Sequence, residues 1–253
     1  MARSALRAAA FTAAIGASAC GSTPTTPVVP RLSITKILAF GDSLTEGEAT
    51  PSDAGFTAFF VHPTNDPGLA KGYPYKLLTL LTQRYTTQTI SVYNGGYGGR
   101  LLSDDATDQA DRTLGEFLDA FNPQVMILIH GTNDLNREDT LPVVQTVAGY
   151  AGALIDKAQA RGVSVIVSSL PPRLAGGTPD RAKNPQLVAP YNSALQVIAA
   201  QKNAPYVNVY SPIIQNLAGP DMAPDGLHLT EAGNDKLAAV YFSALKLLYE
   251  TIK

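Results

Sequence analysis

Apolar residues along this chain fall into two kinds of run, one short and unbroken, the other longer and recurring every three to four positions. The short runs are Ile34–Phe40 (ITKILAF), Thr89–Tyr93 (TISVY), Val125–Ile129 (VMILI), Val163–Ser168 (VSVIVS) and Tyr206–Tyr210 (YVNVY). Brief apolar runs stopped by glycine, asparagine or proline predict strands buried on both faces. The periodic stretches predict helices over Tyr73–Tyr85, Thr107–Phe121, Leu141–Arg161, Leu187–Lys202 and Glu231–Tyr249. The first opens on Pro74, which suits a helix start, and the third is stopped by Gly162. The last has Thr230 as its N-cap. In the second, Leu114, Phe117, Leu118 and Phe121 share one face. Strands alternating with helices predict an α/β fold, a five-stranded parallel sheet inside a three-layer α/β/α sandwich with right-handed crossovers. In such sheets ligands bind at the carboxyl ends of the strands. Candidate chemistry is therefore sought where each strand stops.

Ahead of the first strand the pattern changes. Arg3 and Arg7 precede an apolar stretch from Ala8 to Ala19 that is about half of the ~20 residues a membrane-spanning helix needs. Ala17-Ser18-Ala19 supplies the small residues of a cleavage site, and the chain's one cysteine, Cys20, follows directly. This resembles a bacterial lipoprotein signal, in which the cysteine becomes the lipidated first residue of the mature protein. It departs from that pattern at Ala17, where such signals usually carry leucine. The alternative is an ordinary secretory signal with a chance cysteine. Gly21 to Pro30 (GSTPTTPVVP) reads as a Ser/Thr/Pro tether. The expected organisation is a signal peptide over 1–19, a lipidated cysteine and tether over 20–30, and one domain over 31–253. The protein is expected to be exported and held to a membrane through Cys20, on a periplasmic or extracellular face.

Composition narrows the chemistry. With 45% hydrophobic and 16% charged residues in 253, the chain is neither disordered nor a coiled coil. A net charge of −2 carries no nucleic-acid footprint. One cysteine builds no internal disulfide, and three histidines without ligand-like spacing give no metal site.

Each strand end carries a short polar or glycine-rich block. The first strand runs into Gly41-Asp42-Ser43-Leu44, which places a serine in a turn either as an exposed nucleophile or as a helix cap. The second runs into Asn94-Gly95-Gly96-Tyr97-Gly98-Gly99, where the backbone can approach a ligand closely. That cluster does not match GxGxxG, so no dinucleotide site is read there. The third ends in His130-Gly131-Thr132-Asn133-Asp134, with an amide donor at Asn133. Near the end of the chain, Asp225-Gly226-Leu227-His228 lies in a Pro/Gly-rich loop before the last helix. A serine nucleophile needs a base within hydrogen-bond reach, and that imidazole needs an acceptor on its other nitrogen. An Asp-x-x-His turn supplies both.

Taken in order, these blocks resemble the SGNH hydrolases, also called the GDSL esterase/lipase family. The resemblance spans Leu38 to His228. It implies the flavodoxin-like fold of that family and a carboxylic-ester hydrolase working through an acyl-serine, without metal or organic cofactor. It implies Ser43 as nucleophile, His228 as base and Asp225 as the acid that orients it. The oxyanion donors it implies are the backbone N–H groups of Ser43 and Gly99 and the amide of Asn133, with Gly98 as the other register. Asp42 and Asp134 are expected to accept backbone hydrogen bonds. His62 is expected on the surface. His130 is expected in a packed or hydrogen-bonded place rather than lining the pocket. Tyr73-Pro74-Tyr75 fits the border of an acyl pocket and helix packing equally well. The insertion from Glu48 to Gly72 is expected to overhang the site. The substrate class stays open between short acyl esters, carbohydrate acetates and lysophospholipids. The rival reading is a catalytically silent, envelope-anchored module that binds a glycan or lipid.

Overall fold

The computed structural model describes residues 29–47, 62–63, 72–110, 112–137, 139–215 and 217–252. The expected signal, Cys20 and nearly all of the tether lie outside the described residues. So does the Glu48–Gly72 insertion, apart from Gly72 and the backbone of residues 62–63.

In chain order the elements are β1 (Pro30–Leu32), β2 (Lys36–Gly41), α1 (Ser43–Glu46), β3 (His62–Pro63), α2 (Tyr73–Arg84), β4 (Ser91–Gly96) and α3 (Leu102–Ala106). These are followed by α4 (Leu114–Phe121), β5 (Val125–Ile129), α5 (Thr132–Arg137), α6 (Pro142–Gln159) and β6 (Ser164–Ser168). The chain closes with α7 (Val188–Gln201), β7 (Tyr206–Val207), α8 (Tyr210–Ile214), α9 (Glu231–Tyr249) and β8 (Glu250–Ile252). The main sheet has the order β3-β4-β2-β5-β6-β7. Five of these strands are parallel, and the two-residue β3 adds an antiparallel edge to β4. The expected five-stranded parallel α/β fold is therefore the fold of the chain.

Right-handed crossovers assign the helices to two layers. The chain steps from β2 to β4 through α2, then returns past β2 to β5 and onward through α6 and α7. Helices α2 and α9 accordingly pack together on one face, and α6 and α7 on the other. The sheet between them is dry: Ile37, Leu38, Ala39 and Phe40 of β2 and all five residues of β5 are buried. Large apolar side chains placed this way contribute about 1.5–3 kcal/mol each relative to exposure.

Two expected elements differ, and local side chains explain both. The helix expected over Thr107–Phe121 begins only at Leu114. The Thr113 hydroxyl accepts from Glu116 N while the Glu116 carboxylate accepts from Thr113 N, a reciprocal cap that fixes the start. The residues before it turn at Asp108, whose φ is 56°. The strand expected over Tyr206–Tyr210 ends at Val207. Ser169 Oγ accepts from Val209 N at 2.9 Å and Tyr210 N at 3.1 Å, so these amides leave the ladder and the chain enters α8. The remaining boundaries lie close to the expected ones, and α9 spans Glu231–Tyr249 with Thr230 as its cap. Pro30, read as the last tether residue, pairs with Ile252 in the small antiparallel sheet β1–β8.

The end of β2 meets its neighbours at very close range. Gly41 stands opposite Gly96 of β4 and Ile129 of β5. A Cβ at Gly41 would lie 1.9 Å from the Ile129 carbonyl oxygen and 2.7 Å from Thr45 Oγ1. Gly41→Ala is expected to destabilise the fold by at least the ~1–3 kcal/mol typical of overpacking. The midpoint of chemical denaturation, followed by circular dichroism, checks this; an unchanged midpoint would contradict it.

Candidate active site

The chain leaves β2 at Asp42, whose carboxylate is fully buried. Its Oδ1 accepts from Leu44 N at 3.1 Å and caps α1, and its Oδ2 accepts from Thr132 N at 3.2 Å, across the sheet at the end of β5. Ser43 is thereby held as the first residue of a one-turn helix, pressed against the turn that carries Asn133. Asp134, as expected, accepts backbone hydrogen bonds: Leu102 N at 2.8 Å and Ser103 N at 3.0 Å, at the start of α3.

The Asp225–His228 loop is closed by its own backbone. Ala223 N donates to His228 O, Thr230 N to Asp221 O, and Met222 and Leu229 form an isolated antiparallel bridge. Gly226 takes a φ of 75°, and a Cβ there would lie 1.9 Å from Leu174 O, so only glycine fits this crossing. The segment after β6 is fastened to the same loop, with Leu174 N donating to Gly226 O, Thr178 N to Pro224 O and Arg181 N to Asp225 O.

Within this frame His228 Nε2 lies 2.8 Å from Ser43 Oγ, and His228 Nδ1 lies 2.6 Å from Asp225 Oδ2. Asp225 Oδ1 accepts from both Leu227 N and His228 N at 3.0 Å. Burial works to raise the Asp225 pKa, but these bonds, led by the one from His228, outweigh it and hold the group well below the usual carboxylate range. An ionised carboxylate only accepts, so Nδ1 carries a proton and Nε2 is the nitrogen that faces the serine hydroxyl. This is the geometry in which a hydroxyl can lose its proton as it attacks.

A cavity of about 380 Å³ opens over Ser43 and His228, lined also by Gly99, Asn133, Asn136, Asp180, Arg181, Lys183 and Leu227. Gly99 rather than Gly98 is on its wall. Among the described residues, neither Ser43 N nor Gly99 N donates to another group of the chain. Asn133 Nδ2 gives one hydrogen to Arg100 O at 2.8 Å, which ties the amide to the residue after Gly99. The three expected donors thus border one space with the expected nucleophile and base.

Other expected residues stand elsewhere. Tyr73 is fully buried, its ring 4.9 Å from that of Tyr241 and its hydroxyl 3.4 Å from Thr45 Oγ1, so it packs the helices and does not border the cavity. His130 is buried and hydrogen-bonded. His62 pairs through its backbone with Asn94 in the edge strand.

Sequence reasoning passed over the segment after β6. Arg173 is buried there and donates to Asn136 Oδ1 at 2.7 Å, Thr132 O at 2.6 Å and Lys183 O at 2.6 Å, building one wall of the cavity. The signal was available: Arg173 follows Pro171-Pro172 at the end of the fourth parallel strand, the kind of place where the other three blocks were found.

The sequence profile described as the GDSL-like lipase/acylhydrolase family matches residues 39–236. Among solved structures, an acetylxylan esterase from Geobacillus stearothermophilus is similar with a TM-score of 0.65 at 20% identity, over 83% of this chain and 94% of that one. A lipase/acylhydrolase from Enterococcus faecalis is similar with a TM-score of 0.61 at 19% identity, over 85% of this chain and 97% of that one. A search of curated proteins found no match. With the profile covering most of the chain and every block of the site inside it, the chain belongs to the GDSL-like lipase/acylhydrolase family and is a carboxylic-ester hydrolase.

Proposed function

We propose that the chain is an exported serine esterase that removes short acyl groups, acetyl above all, from hydroxyls of a polar alcohol such as a carbohydrate. The observation that carries the catalytic part is the pair of distances that link Ser43 Oγ to His228 and His228 to Asp225, 2.8 and 2.6 Å. In this reading His228 Nε2 takes the Ser43 proton as Oγ attacks the ester carbonyl. Asp225 stabilises the imidazolium and keeps Nδ1 protonated. The tetrahedral oxyanion is received by Ser43 N, Gly99 N and the free hydrogen of Asn133 Nδ2. The imidazolium then protonates the departing alkoxide, which leaves as the alcohol and an acyl-serine. Water attacks that ester with His228 again as base and releases the carboxylic acid.

Substrate size and polarity are argued from the cavity. Of the side chains on its described wall only Leu227 is apolar, while Asn133, Asn136, Asp180, Arg181 and Lys183 are polar or charged. Sugar hydroxyls find donors and acceptors on such a wall, while Leu227 is the one aliphatic side chain there to cover an acyl group. The similar fold from Geobacillus stearothermophilus is an acetylxylan esterase, known also as catalytic mutants at a serine, an aspartate and a histidine. In those mutants the aspartate and histidine are three positions apart, as Asp225 and His228 are here.

Export and anchoring rest on Arg3, Arg7, the apolar stretch to Ala19 and Cys20. Expression of the full chain in a bacterium fed labelled palmitate is expected to label the wild type and not Cys20→Ser. Label absent from both would leave the ordinary secretory signal.

The catalytic reading is tested with p-nitrophenyl esters from acetate to palmitate and with acetylated xylo-oligosaccharides. Acetate esters are expected to be cleaved fastest, and Ser43→Ala to abolish turnover on all of them. An optimum at long chains would favour a lysophospholipase, and wild type as inert as Ser43→Ala on every ester would favour the silent binding module.

Asn133→Ala removes one oxyanion donor and is expected to lower kcat by about 10²–10³ with KM little changed. Equal loss in binding and turnover would place the amide on the ground-state substrate instead.

A further inference from the structure

Behind the candidate nucleophile lies a group of buried charges that the esterase chemistry does not use. His130 directly follows the central strand β5 and is 2% exposed. Its Nε2 is 2.9 Å from Asp105 Oδ2, and its Nδ1 is 3.4 Å from Asp42 Oδ2. Asp105 is fully buried and also accepts from Arg100 Nε at 2.6 Å and from Arg100 Nη2. The Arg100 guanidinium lies over the rings of Phe40 and Phe117, 5.3 and 5.6 Å from their centroids. Its backbone carbonyl takes the Asn133 amide. A closed circuit results: Ser43 turn, Asp42, His130, Asp105, Arg100, Asn133.

We propose that His130 is a positioning residue, held as the imidazolium, which joins the two carboxylates of this circuit and thereby keeps Ser43 in register with the oxyanion donors Gly99 and Asn133. The proposal rests on the serine-esterase reading above.

Charge balance supports it. The buried acids around the ring are Asp42 from the β2–α1 junction, Asp105 from α3 and Asp134 from α5. The buried bases are Arg100 before α3 and Arg173 after β6, both charged at neutral pH, although burial lowers the Arg173 pKa to about 10. With a neutral imidazole the five sum to one uncompensated negative charge, and with an imidazolium the six cancel. Uncompensated charge is what a dry interior tolerates least. From the other elements packed nearby, Tyr191 of α7 donates its hydroxyl to His130 O, and Lys157 of α6 gives its ammonium to Asp105 O, Ala106 O and Asp108. Phe40 presents a ring 6.2 Å away. Neither the tyrosine nor the lysine places a charge on the imidazole itself. One group competes: Gly131 N lies 2.9 Å from Nδ1, where a neutral ring would accept it. Burial works against the charged ring, but its hydrogen bond to Asp105 and the Asp42 carboxylate beside it outweigh burial and raise the pKa to about 9.

The consequence is a second titration, separate from the base that meets substrate. Above about pH 9 the ring loses its proton, Asp42 and Asp105 lose their shared cation, and the register of Ser43 and Asn133 loosens. Misplacement of reacting groups by about 1 Å can cost on the order of 10² in rate. His130→Gln keeps an amide donor for Asp105 but never carries charge. It is expected to lower kcat on p-nitrophenyl acetate by about 10- to 100-fold while KM stays within about threefold. The wild type is expected to lose kcat through about pH 9, and that limb is expected to be absent from His130→Gln. Stability should follow, because a value raised above the ordinary ~6.5 adds stability below that pH that is lost as pH rises through about 9.

A direct readout does not depend on whether His130→Gln folds. In the full chain carrying His62→Gln and His228→Gln, the one remaining imidazole is His130. Its ring nitrogens are expected to show the imidazolium pattern by ¹⁵N NMR at pH 7 and to titrate near 9. A neutral Nε2–H tautomer at pH 7, or an alkaline limb unchanged in His130→Gln, would overturn the proposal. Failure of the esterase reading itself would look different, as activity indifferent to Ser43→Ala.

Discussion

A carboxylate with no exposure to water sits where the two central strands end, and the arrangement around the site follows from keeping it satisfied. Asp42 has the start of α1 on one oxygen and the Thr132 turn and His130 on the other. An ionised group in that position is tolerable only when its lone pairs are occupied. These partners belong to two strand ends, that of β2 through Leu44 and that of β5 through His130 and Thr132. Satisfying one buried charge therefore brings together two loops that the chain order keeps far apart. The geometry of the candidate site is in part a by-product of that requirement: the turn that caps α1 through Asp42 is the turn that presents Ser43.

The loop that carries His228 is assembled differently. Among the described residues the Asp225–His228 loop makes no ladder with the main sheet, and backbone hydrogen bonds from the segment after β6 hold it. Arg173 links that segment back to Thr132 and Asn136. The Ser43 side thus depends on buried charge, and the His228 side on backbone pairing and a glycine crossing at Gly226. The two halves meet through Ser43 and His228, through the Arg173 contacts, and through the hydrogen bonds from Asn136 to Arg181 O and from Asn184 to Leu135 O.

Much of this was readable from the chain. Unbroken apolar runs such as VMILI carry a strong signal because both faces are buried, and every such run became a strand. The blocks at Ser43, Asn94, Asn133 and Asp225 were readable because each packs its polar residues into a few consecutive positions. Three things were not. The start of α4 depends on the Thr113–Glu116 pair, which a wide helical periodicity overrides on paper. The early end of β7 depends on Ser169, a residue about forty positions away, whose hydroxyl captures two amides. Arg173, Arg100 and Asp105 act through contacts between loops, and such contacts have no spacing in the sequence. His130 was read as buried and bonded, but its partners were beyond reach for the same reason.

The small sheet made by β1 and β8 fixes an orientation. Pro30–Leu32 enters beside the amino ends of the parallel strands, where Gln88 and Gln124 bond the backbone of Leu32 and of Thr35–Lys36. The cavity lies at the carboxyl ends, a strand's length of about 20 Å away across the sheet. Were the chain anchored through Cys20 as proposed, the attachment would approach the domain from the side opposite the opening, and esters on the far side of the body would reach the cavity more directly than those in the anchoring surface.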